Sequence, residues 1–165
     1  MNRKINQVLG AIAISIIMFN SYAEEVEKNT VVKSIQSDYQ NWSLFAISHR
    51  LDKKTLRAIL ANEIAIKAVK QHQMNPWTNG SILTKVVWKE TTHPQWSQAI
   101  VPGAFEKAEV MIKDAQKYPT MAGWGFGYWE GKKLVMYEEN KAKECFACHQ
   151  MVKDNDYVFN APVFP

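Results

Sequence analysis

Gly123-Trp124-Gly125-Phe126-Gly127-Tyr128 alternates glycine with an aromatic residue, and a period of two is the side-chain period of a β-strand. Extended, this stretch presents its glycines on one face and its aromatics on the other. Glycines inside a strand cost stability and have two readings. They mark the close approach of another group, here a flat one, or a bulged, twisted strand that packs its aromatics into the core.

Outward from this strand, Leu134 to Tyr137 reads as a last short strand and Asn140 to Met151 as a helix, with Asp154 to Pro165 as a tail. On the other side, Phe105 to Lys117 fits two periods. Phe105, Ala108, Ile112 and Ala115 suit a helix, whereas Ala108, Val110 and Ile112 alternate as in a strand. Ser81 to Lys89 is rich in β-branched and aromatic residues and reads as a strand, with Lys85 on the same face as Leu83 and Val87. A lysine so flanked is commonly an edge or snorkelling residue.

Asn75-Pro76-Trp77-Thr78-Asn79-Gly80 is a dense turn signal. Before it, Asn62 is placed to cap a short helix carrying Ala65, Ala68, Val69 and His72 on one face. Trp42 to His49 and Thr55 to Ala61 read as strands around a charged turn at Asp52-Lys53-Lys54. Val31, Val32, Ile35, Tyr39 and Trp42 recur at helical spacing, so a helix is expected over Thr30 to Trp42.

The chemistry sits in the C-terminal helix. Cys145-Phe146-Ala147-Cys148-His149 is a CxxCH sequence and uses both cysteines of the chain. That spacing is the attachment site of a c-type haem: each thiol adds to one vinyl group and the imidazole coordinates the iron. On a helix the three side chains stand at i, i+3 and i+4 and share a face. A zinc knuckle would need a second ligand pair, and a redox CxxC would follow a strand in a βαβ pattern; neither is found in the sequence.

At the N-terminus, Arg3 and Lys4 precede an apolar stretch from Val8 to Phe19 and a small-x-small site at Ser21-Tyr22-Ala23. This predicts a signal peptide over 1–23, removed to leave a single haem-binding domain over 24–165. The apolar run is short for a membrane span. The expected compartment is the bacterial periplasm, where c-type haem is attached. Without Arg3 and Lys4, eighteen basic residues face sixteen acidic ones, a net charge of +2. So small a charge argues against nucleic acid or an anionic membrane as partner.

Only 16 residues follow His149, unlike small electron carriers, in which the motif lies near the N-terminus and a methionine ligand far downstream. Met151 is too close to reach the opposite haem face. Met74, Met111, Met121 and Met136 are candidate sixth ligands that read better as core filler, and His49, His72 and His93 read as structural or exposed. The favoured reading is an open sixth position, suited to ligand binding or catalysis.

The strand Ile82-Leu83-Thr84-Lys85-Val86-Val87-Trp88 after Pro76-Trp77-Thr78-Asn79-Gly80, the segment Val110-Met111-Ile112-Lys113-Asp114, the strand Gly123-Trp124-Gly125-Phe126 and the motif Cys145 to His149 occur in that order. Together they resemble the cytochrome P-460 and cytochrome c′-beta family, from about Ser34 to Pro165. The resemblance implies an α+β fold: a mainly antiparallel β-sheet domain with a few helices, often a homodimer, and one covalent c-type haem per chain on a C-terminal helix. It also implies a strand over Phe105 to Lys117.

In the hydroxylamine-oxidising branch a strand lysine bonds to the haem edge, and Lys85 stands at the matching place. In the c′-beta branch that bond is missing and phenylalanines cap a distal face that binds nitric oxide; Phe45 and Phe105 are the candidates for such a cap, with core packing the other reading of each. The resemblance thus implies either an enzyme passing electrons from hydroxylamine to a periplasmic acceptor or a non-enzymatic nitric oxide-binding protein. A plain electron carrier is the third reading. A distal carboxylate expected in the enzymes has no clear match: Glu106, Glu109 and Glu130 lie nearby, and position 127 is glycine. Arg50 and Arg57 are candidates to donate to a bound ligand.

Overall fold

A computed structural model describes residues 39–164. The expected signal peptide lies outside the described residues, as does most of the expected helix over Thr30 to Trp42. Its described end forms a single 3-10 turn, Tyr39–Asn41.

Six antiparallel strands follow one another as a meander, each paired with its neighbour in sequence. They are β1 (Ser43–Arg50), β2 (Thr55–Ala61), β3 (Ile82–His93), β4 (Trp96–Lys113), β5 (Trp124–Glu130) and β6 (Lys133–Met136). Among the described residues there are two α-helices, α1 (Glu63–Lys70) between β2 and β3 and α2 (Glu139–His149) after β6. A 3-10 segment, Gln150–Asn155, continues α2. The domain is therefore α+β and mainly antiparallel, as the resemblance implies.

Asn62 explains how the chain leaves the sheet and returns. Its Oδ1 accepts the Ala65 amide at 3.0 Å and caps α1, and the same oxygen accepts the Ile82 amide at 3.0 Å where β3 begins. Its Nδ2 donates to the Gly80 carbonyl at 2.9 Å. One buried amide thus joins the helix start to the end of the turn that follows it. The helix stops at Lys70, and His72 lies beyond it in a left-handed conformation, φ 56°.

Alternation along the strands sorts side chains onto two faces. One carries Ala61, Leu83, Met111 and Phe126, and next to them Ile59, Lys85, Glu109 and Tyr128, each set in cross-strand register. The core forms on this face, where Phe126, Trp124 and Leu83 pack with Ala65 and Ala68 of α1, Ala142 of α2 and Val158 of the tail. The opposite face holds Thr84, whose hydroxyl accepts a hydrogen bond from the Trp129 indole at 3.0 Å, and Trp129 stacks against Tyr39.

The glycines of β5 belong to that opposite face. A Cβ at Gly125 would lie 2.3 Å from the Tyr118 ring, and one at Gly127 would lie 2.4 Å from the Val135 carbonyl oxygen. The bare backbone therefore admits a tyrosine and the adjoining strand, and the reading in which a flat haem approaches the glycines is corrected. The aromatics, not the glycines, face α2.

β3 and β4 are longer than the sheet. β2 pairs with β3 only as far as Lys89, and β5 with β4 only from Glu109 to Lys113. The outer ladder, from Glu90 opposite Pro102 to His93 opposite Trp96, joins these two strands alone.

Candidate haem site

α2 ends on the CxxCH motif. Its last turn lies over β5: the Phe126 ring is 5.3 Å from the His149 imidazole and 6.5 Å from the Phe146 ring, centroid to centroid. Phe159 of the tail meets the other side of the imidazole edge-on at 5.0 Å. His149 Nδ1 is 2.7 Å from the Tyr157 carbonyl oxygen. A carbonyl only accepts, so Nδ1 carries the proton and Nε2 keeps its lone pair. Burial pushes the imidazole below its ordinary value, against the pull of that carbonyl, and so favours the neutral ring a metal ligand must be.

Both thiols are free, Cys145 half-buried and Cys148 exposed. Burial first, then the nearby Glu109 charge, pushes the Cys145 thiol up. Among the described residues no group of three or more His, Cys, Asp or Glu converges to hold a bare ion. Two thiols and an imidazole at i, i+3 and i+4 present separate anchor points and one nitrogen donor, a donor set that fits haem.

Lys85 faces this helix from β3, but not as a lysine walled by Leu83 and Val87 alone. Its Nζ is 2.8 Å from the carboxylate of Glu109, directly opposite on β4, with side-chain exposures of 36% and 24%. The strand pattern places Lys85 between Leu83 and Val87 on one face, and the register adds a carboxylate that compensates its charge. Lys107 adds a second contact to Glu109 at 3.0 Å. Burial alone would raise the Glu109 carboxyl, but Lys85 and then Lys107 more than offset it, and it lies below its ordinary value of 4.5.

A carboxyl held low in the folded chain contributes stability that is present above the unfolded value and is lost as pH falls through the folded one. Glu109→Gln is therefore expected to flatten the stability curve below the ordinary value of 4.5 and leave it unchanged in shape near neutrality. Urea unfolding followed at several acidic pH values measures it.

The other candidates separate. Arg57 stands on the same face two residues from Ile59, and its buried Nε has no partner among the described residues. Burial lowers its guanidinium, and the nearby Arg50 charge adds to this. Arg50 itself is exposed and bonded to Asp52 in the β1–β2 turn. Phe45 is a core side chain, edge-on to Trp77 at 5.6 Å, on a bulge of β1. Phe105 sits opposite Trp88 beyond a register shift and is 57% exposed, so the structure does not bring the two phenylalanines together.

Of the three glutamates, Glu106 pairs with Lys89 at 2.8 Å and Glu130 is exposed at the end of β5. Glu109 alone among them contacts Lys85. A carboxylate at position 127 would point to the wrong face. Met136 also lies opposite Gly127 on that other face, Met121 is buried and Met74 and Met111 are packed against the core. His49 is bonded to Glu90, His72 is exposed, and His93 accepts the Gln95 amide at the hairpin tip.

Tyr157 is the contributor that the sequence reading missed, because it acts through its backbone. Glu109 stood there as one of three glutamates, and needs the β3–β4 register before it meets Lys85.

A family model described as Cytochrome P460 matches residues 36–160. The chain belongs to the cytochrome P460 family, and is a haem cytochrome. Comparison with curated proteins found no match.

Proposed function

We propose that the chain is an exported, periplasmic mono-haem cytochrome, cleaved after Ala23, that binds small nitrogen ligands such as nitric oxide and hydroxylamine at an open iron position. The haem is covalent, one per chain, held by Cys145 and Cys148 with His149 as proximal ligand. When bound, it supplies a redox-active iron for the ligand. The observation that carries this reading is the His149 geometry: Nδ1 is engaged by the Tyr157 carbonyl, leaving Nε2 to coordinate on the helix face that also presents both thiols.

This chain's own residues then divide the work. Phe126 and Phe159 fix the imidazole plane, Glu109 holds Lys85, and Arg57 offers an uncommitted N–H on the same sheet face. In a five-coordinate site, adding cyanide or nitric oxide to the ferric protein shifts its Soret band. A purely low-spin spectrum that neither ligand alters overturns the open position and returns the protein to simple electron transfer.

A second reading, oxidation of hydroxylamine with transfer of electrons to a periplasmic acceptor, is favoured by the Lys85–Glu109 pair. A lysine nitrogen would join a porphyrin edge carbon only as the free amine, so the ammonium that Glu109 holds at 2.8 Å would first have to lose a proton, leaving the carboxylate beside the cross-link. Such a bond would replace one N–H and one porphyrin C–H, so it would need a two-electron oxidant such as a peroxide from outside the chain, which would take up the two electrons and two protons released. If it is present, Lys85→Ala restores an ordinary c-type spectrum and removes hydroxylamine turnover. If native and Lys85→Ala spectra coincide, the protein is a ligand binder. Exposed Trp96 and Ile100 on the protruding β3–β4 hairpin support the expected homodimer.

A further inference from the structure

Lys113 and Asp156 form an ion pair that the site described above does not use. Lys113 ends β4 and Asp156 follows the 3-10 segment after α2, and their side chains are only 6% and 8% exposed. Lys113 Nζ donates to both carboxylate oxygens, at 2.9 and 2.6 Å, and to the Ala122 carbonyl at 3.0 Å. It also lies over the Trp124 ring, 4.9 Å from the centroid. Asp156 accepts the Trp77 amide at 2.7 Å through Oδ2, and its backbone carbonyl accepts the Trp124 indole N–H at 2.9 Å.

Three separate segments thus converge on one residue, and that residue is in an uncommon conformation. Asp156 and Tyr157 have φ of 45° and 67°, successive left-handed positions occupied by residues other than glycine. Such a conformation persists only where the surroundings over-determine it. A buried ion pair is weak evidence for net stability, since apolar residues of similar volume often serve as well. Its use is better sought in what it fixes, and the next carbonyl along the chain is that of Tyr157, the partner of His149 Nδ1.

We infer that the Lys113–Asp156 pair is the positioning device for His149, pinning the left-handed turn so that the Tyr157 carbonyl stays on Nδ1. The inference rests on the reading of His149 as the iron ligand. Hydrogen bonding of the non-ligating nitrogen sets ring orientation and raises ligand basicity. Slackening the turn weakens histidine donation to the iron and so favours the ferrous state.

The test uses the haem-loaded, full-length protein and two variants. Asp156→Asn keeps the shape and an acceptor for the Trp77 amide but removes the charge. Lys113→Met with Asp156→Asn removes both charges, so that no buried ion is left alone. Resonance Raman of the ferrous protein reads the iron–histidine stretch, redox titration reads the midpoint potential, and amide hydrogen exchange of the sheet reads folding.

In both variants the stretch is expected at lower frequency and the midpoint at higher potential, with exchange of β3 to β5 amides unchanged. If Asp156→Asn fails to fold, the double variant decides. A folded double variant with stretch and midpoint unchanged overturns the proposal. So does a double variant that loses its sheet, which assigns the pair to core stability. Absence of an iron–histidine band from an unmutated ferrous protein whose spectrum is five-coordinate and high-spin refutes instead the assignment of His149.

Discussion

Replacing both cysteines, Cys145→Ser with Cys148→Ser, is expected to convert a haem that survives acid-acetone extraction into one that is extracted completely. The unmutated chain should retain its haem, and either single variant should keep one thioether. The thiols stand one helical turn apart on α2, Cys145 half-buried and Cys148 exposed. Serine preserves the helix and its size but forms no thioether. Holo-protein mass and the extraction test together check the result. Extraction of haem from the unmutated protein would show that the thiols are not anchors.

The largest loss of stability is expected from Trp124→Ala. Trp124 is 0% exposed in the core beneath α2. Removing a buried tryptophan costs about 3–5 kcal/mol through lost burial and the cavity left behind, and here the Asp156 carbonyl loses its indole donor as well. The expected fall in Tm is on the order of 10–20 °C, measured by thermal unfolding of the holo-protein. Trp124→Phe keeps most of the ring and isolates the hydrogen bond, at about 1–3 kcal/mol. A drop of less than about 1 kcal/mol in Trp124→Ala would contradict the packing described, since a collapse that complete lies outside the usual range for a buried aromatic.

Strand alternation made most of the sheet legible. Thr55 to Ala61 is β2 as read, and Trp42 to His49 is β1 displaced by one residue at each end. Asn62 was legible as a cap because its amide serves a local need within three residues. The outer half of the β3–β4 hairpin was not. Pro102 and Gly103 interrupt its pattern, Ser97 and Gln98 dilute it, and only the partner strand stabilises it. Of the ambiguous Phe105 to Lys117 stretch, the part up to Lys113 is strand and the residues after it turn; β3 and β5 flank that strand's inner part, a tertiary condition that a window of sequence does not contain.

The candidate site divides the same way. CxxCH is local and was legible. Alternation told that glycines and aromatics of β5 face apart, but not which face α2 would cover. Lys85 and Glu109 are linked by register, and Lys113 and Asp156 lie 43 positions apart, so neither pairing exists until the sheet is assembled.

The meander has a consequence for the order in which the protein matures. Every strand pairs with the one made just before it, the arrangement that keeps loop closure short and zipping fast. A chain grows from its N-terminus, so all six strands exist before Cys145 is added. The two thiols arrive last, on a helix that packs against the β5 surface. A chain truncated before α2 would therefore retain its sheet-forming segments while lacking both cysteines and His149.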